Sequence, residues 1–98
     1  MVRNLDAAAF KKSARFIVKR NVSARVDRVF ASFEPQDEAL RLIYCTSGGP
    51  TDDDLEDCET TCAELIAEFP EIKKAETQCL ASDEYVFPND PDEVFSRS

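Results

Sequence analysis

Between residues 5 and 19 the apolar side chains Ala7, Phe10, Ala14 and Ile17 recur at steps of three and four, the period of one helical face. Lys11, Arg15 and Lys19 repeat at steps of four on another face, and three consecutive alanines add helix propensity. With Asn4 or Asp6 as N-cap and Asn21 as a stop, the pattern predicts a first helix ending near residue 21. Residues 24–34 fit two periods. Val26, Val29, Phe30 and Phe33 could share a helical face, while the β-branched and aromatic content suits a strand.

The sequence that follows favours the strand. Glu34-Pro35-Gln36-Asp37-Glu38 is dense in turn formers, and Ala39 to Thr46 alternates as a strand, so a hairpin joins the two segments. Leu40, Leu42 and Tyr44 then share one face, with Ile43 and Cys45 on the other. Apolar side chains on both faces predict a strand that is central, or covered by a helix on one side and partly by a partner on the other. Ser47-Gly48-Gly49-Pro50 breaks the pattern, and a long helix follows. Its start resembles a capping box formed by Thr51 and Asp54. Leu55, Cys58, Cys62, Leu65, Ile66 and Phe69 form an apolar stripe that ends at Pro70. Residues 72–81 read as a third strand.

The order α-β-β-α-β predicts an α+β fold with two helices packed on a small, mostly antiparallel sheet. We expect one domain over residues 1–81 and an acidic, Pro-containing tail over 82–98 that docks in part. In that tail Tyr85, Phe87 and Phe95 either complete the core or anchor a partner.

Composition narrows the function classes. A chain of 98 residues suffices for one modest core. At 33% charged residues, above the usual roughly 25%, its surface is heavily solvated. A sequence pI near 4.4 argues against duplex nucleic acid or an anionic membrane as the main partner. No apolar run approaches the roughly 18–20 residues of a membrane span, and no secretory core is visible, so a cytoplasmic location is expected. In that setting Cys45, Cys58, Cys62 and Cys79 read as reduced thiols. Cys58 and Cys62 are spaced for one helical face, where a disulfide fits poorly. With no histidine, an all-thiolate metal site would need all four cysteines without paired knuckles, so packed, inert thiols are preferred. No nucleophile has a base or an activating frame, and neither an enzyme nor a cofactor is expected.

Charge is the informative feature. Eight basic residues against two acids give the first 28 positions +6, while four basic residues against eighteen acids give residues 29–98 a charge of −14. The acids Asp52, Asp53, Asp54, Glu56, Asp57 and Glu59 crowd six carboxylates into eight positions, more than capping requires. They form the candidate partner-binding set, a face suited to steering a cationic partner. The same spacing lacks the alternating ligands and turn glycine of a calcium loop, and no metal is assigned. The basic residues Lys11, Lys12, Arg15, Lys19 and Arg20 could contact RNA or an acidic lipid surface. More economically, they could pair with carboxylates of the second helix within the molecule.

The segment Leu42 to Pro70, LIYCTSGGPTDDDLEDCETTCAELIAEFP, resembles small acidic bacterial immunity proteins of toxin-immunity systems such as contact-dependent inhibition. The resemblance implies a protein that binds a cognate toxin, often a basic nuclease, with carboxylates standing where the toxin expects phosphates. The alternative is a regulatory or structural subunit that forms a homodimer through its basic helix and acidic surface.

Overall fold

The computed structural model describes residues 6–84 and 93–96. Helix α1 spans Ala7–Asn21 and starts at Asp6, whose side chain accepts from the Ala8 N–H at 2.9 Å. Strands β1 (Val26–Glu34) and β2 (Ala39–Thr46) form the expected antiparallel hairpin. Within residues 24–34 the strand covers Val26–Glu34, and Ala24 and Arg25 form the turn before it. The turn between β1 and β2 places Glu38 at φ 51°, and its carbonyl accepts from the Lys73 and Lys74 N–H groups at 2.8 and 3.2 Å. The hairpin tip thereby sets where the next strand begins.

Helix α2 (Asp52–Glu68) follows a turn in which Gly48 adopts φ +79°, a left-handed conformation that favours glycine. Both halves of the Thr51–Asp54 capping box are present. Strand β3 (Lys74–Ala81) runs parallel to β2, because α2 returns the chain across the sheet before it re-enters. A 3₁₀ turn over Ser82–Glu84 and strand β4 (Glu93–Ser96) complete the described chain, with β4 antiparallel to β1. The sheet order β3-β2-β1-β4 makes β2 and β1 central. Two of the three pairings are antiparallel, so the sheet is mixed, and β4 adds a strand that the periodicity did not predict. Within the stretch read as a tail, Phe95 lies in β4, packed against the main core, while Tyr85 and Phe87 lie outside the described residues.

Both helices cover one face of the sheet. Phe10, Ala14, Ile17 and Val18 of α1 join Cys58, Cys62 and Leu65 of α2 over Val29, Leu40, Leu42 and Tyr44. On the other face Phe30, Ile43 and Cys45 form a second buried cluster with Leu80 alongside. β2 therefore buries both of its faces, as its apolar content foretold.

The α2 stripe needs one correction. Cys58, Cys62 and Leu65 are buried, but Leu55 and Ile66 remain 46% and 39% exposed. Asp54 and Thr61 fill the sheet-facing line instead, each satisfied by hydrogen bonds. Successive residues turn 100° about the helix, so Leu55 and Ile66 fall on one flank of the stripe, and among the described residues β3 is the edge strand, with no further strand beneath them.

Candidate functional site

The six candidate acids divide between fold and surface. Asp54 is 1% exposed. Its Oδ2 accepts from the Thr51 N–H at 2.8 Å and from Arg25 Nε at 3.1 Å. Burial pushes its pKa up, but the Thr51 and Arg25 bonds outweigh burial and hold it below the usual carboxylate value. Asp54 is a structural carboxylate. Arg25 also donates through Nη2 to the Gly49 carbonyl at 2.7 Å, tying the entry of β1 to the turn before α2.

The other five remain at the surface. Asp52, Asp53, Glu56 and Glu59 are exposed and Asp57 is half-buried, and none of the five forms an ion pair among the described residues. Asp52, Glu56 and Glu59 lie opposite the buried line of α2. Asp53 and Asp57 share the flank on which Glu64 reaches α1. The positive end of the helix dipole offsets part of the charge in the first turn. Asp57 shows that repulsion remains, its pKa raised by burial and then by the charges of Asp54 and Asp53. The structure thus presents a row of carboxylates at the start of α2, backed by a capped helix.

At its end the basic stripe of α1 reaches α2, beyond the six candidate acids. Arg20 forms an ion pair with Glu64, whose carboxylate also accepts from Asn21 Nδ2 at 3.3 Å. The Arg20 bond holds the Glu64 pKa below its usual value. Lys12, Arg15 and Lys19 are exposed and form no ion pair among the described residues. Arg20 is thus neutralised within the molecule, while Lys12, Arg15 and Lys19 leave positive charge at the surface of α1.

Two features escaped the sequence pattern. Phe16 is 66% exposed, with the Arg20 guanidinium 5.3 Å from its ring centroid. It borders an open groove of about 710 Å³ between the helices, lined also by Ala9, Lys12, Ile17, Ala67 and Glu68. An aromatic one position off the Phe10–Ile17 face was the available signal. Arg25 was the other omission, and a lone arginine before a strand carried no pattern to reveal its partner.

The thiols are packing groups. Cys45, Cys58 and Cys62 are buried, and all four cysteines are free. Cys45 belongs to the cluster on the face opposite Cys58 and Cys62, so the four sulfurs do not converge. Burial drives the Cys58 thiol up to about 12 and the Cys45 thiol up to about 11, which keeps both protonated at neutral pH. Among the described residues no group of three or more potential ligands could hold a metal ion. No described helix is long and apolar enough to cross a membrane.

Comparison with known proteins separates family from fold. A family model described as MafI2 immunity protein matches residues 17–98. No curated protein matches the chain significantly. Among solved structures, a MamM CTD in a zinc form aligns at a TM-score of 0.54 and 18% identity, covering 93% of this chain and 97% of that one. A manganese form of MamM CTD aligns at 0.52 and 20% identity, covering 76% of this chain and 96% of the other. At such identities the likeness concerns the arrangement of helices and strands, and the metals in those structures belong to those proteins.

Proposed function

The chain belongs to the MafI2 immunity protein family, and from that premise we propose that it neutralises a cognate, cationic, nuclease-type toxin by docking through the acidic start of α2. The observation that carries this reading is the set of five surface acids, Asp52, Asp53, Glu56, Asp57 and Glu59, left without an ion pair among the described residues. A basic toxin surface that meets them relieves their mutual repulsion, which adds to the attraction between the partners. Carboxylates spaced along a helix also offer charge to groups that otherwise bind phosphate.

The mechanism is inhibition by binding. Long-range attraction raises the encounter rate, and short-range contacts then fix the complex. Asp54 and Arg25 take no part in the contact. They hold the first turn of α2 in place so that neighbouring carboxylates are presented together. The test is the association rate with the toxin encoded by the neighbouring gene, followed as ionic strength rises. A steep fall in rate with little change in dissociation supports the proposal, and a rate indifferent to salt sinks it.

A further inference from the structure

We propose that the free edge of β3 pairs antiparallel with β3 of a second copy, about a twofold axis at Ala75, to give a homodimer with one continuous sheet. This inference does not depend on the toxin reading. Among the described residues β3 is an edge strand, and Lys74, Ala75, Glu76, Thr77 and Gln78 are all exposed. An exposed edge presents unpaired N–H and C=O groups and is a ready template for another strand.

The register follows from faces and charges. β3 aligns Ala75 with Leu40 on the helix-covered face, while Lys74 and Glu76 align with Ala39 and Arg41 on the other face. Residues directly opposite in an antiparallel pair share a face, so both copies keep their helices on one side only when the axis passes through a residue. An axis at Lys74 sets lysine against lysine, and one at Glu76 sets glutamate against glutamate. At Ala75, Lys74 of each copy opposes Glu76 of the other, twice by symmetry. The Arg41 that neighbours Glu76 across β2 extends the alternating row.

The helix layer agrees with this register. α2 lies over β2 and β3, so two α2 helices related by the axis stand two strand spacings apart, about 9.6 Å, within the roughly 8–10 Å of packed helices. Cys58 Sγ approaches the Gln78 carbonyl at 4.0 Å, which marks the level of α2 along β3. From that point Ala75 lies about 10 Å down the strand and Ile66 about 12 Å along the helix, so the two are nearly level. Ile66 lies on the flank of α2 away from α1, 39% exposed. Pairing about Ala75 brings it against its own copy, covering a side chain the monomer leaves in water.

Sedimentation equilibrium on the full chain, with circular dichroism to confirm folding, tests the proposal. The wild type should show a reversible monomer–dimer equilibrium. K74E and E76K should each weaken it by about tenfold, because each reversal replaces two attractive pairs with two repulsive ones. The K74E/E76K double variant should recover it, and a mixture of the two single variants should form a heterodimer. A wild type that stays monomeric, single reversals without effect, or a double variant that fails to recover would each overturn the proposal. So would β3 amides that gain protection from hydrogen exchange only when toxin is added, which would assign the edge to the toxin.

Discussion

Arg25 and Asp54 meet at 3.1 Å between the entry of β1 and the first turn of α2, and the same carboxylate oxygen caps Thr51 at 2.8 Å. One buried acid thus joins the helix start to the central hairpin. Replacing Asp54 with Asn should cost about 1–3 kcal/mol of stability, because bonds to a charged acceptor are lost or weakened. Since the folded pKa lies below the unfolded one, the stabilisation is fully present above about pH 4 and is lost as pH falls through the folded value. Urea unfolding of wild type and D54N should therefore show a gap that narrows on acidification. A gap that widens on acidification would contradict this role.

Tyr44 and Thr61 form a buried pair whose proton order can be deduced. The Thr61 hydroxyl donates to the Asp57 carbonyl at 3.0 Å, so the Tyr44 hydroxyl must donate to Thr61 Oγ1. Tyr44→Phe removes one donor and should cost about 1 kcal/mol, whereas Thr61→Val strands the buried tyrosine hydroxyl and should cost up to about 3 kcal/mol. Denaturant midpoints of the two variants check the ranking. Equal losses would argue against the assigned direction.

Leu55 and Leu65 occupy the same stripe in the sequence but different environments in the fold. Leu65→Ala opens space in the core and should cost about 2–5 kcal/mol. Leu55→Ala should stay within about 1 kcal/mol, since nearly half of that side chain already faces water. Thermal unfolding of the two variants is the measurement.

This pair marks how far the sequence could be read. Period, caps and turn formers placed both helices, the hairpin and the capping box, because each is a local consequence of residues three or four apart. Which flank of α2 would lie uncovered depended on the strand beneath it, and that is set by the non-local pairing of β2 with β3. β4 was illegible for a different reason, as Glu93–Ser96 is too short to show a period. In the acidic cluster the Thr51–Asp54 spacing already signalled a cap, yet charge alone could not separate Asp54 from its five surface neighbours. Burial against the sheet and Arg25, distant in sequence, join the Thr51 cap in drawing that line.

Buried thiols give a further check. Cys45 and Cys58, held up to about 11 and about 12 by burial first and neighbouring charge second, should react slowly with a thiol reagent at neutral pH and rapidly once urea unfolds the chain. Fast labelling of these two positions in the native protein would show that the core opens more readily than its packing implies.

The central claim is that exposed carboxylates at the start of α2 steer a cationic toxin. Its most direct test is the affinity for the cognate toxin of a variant carrying D52N, D53N, E56Q and E59Q, compared at low and moderate salt with a control carrying K12Q, R15Q and K19Q. The account predicts that the acidic-face variant loses affinity by about tenfold or more at low salt and becomes less salt-sensitive, while the control binds as well as wild type or better. Unchanged binding by the acidic-face variant, with loss in the basic-face control, would contradict it.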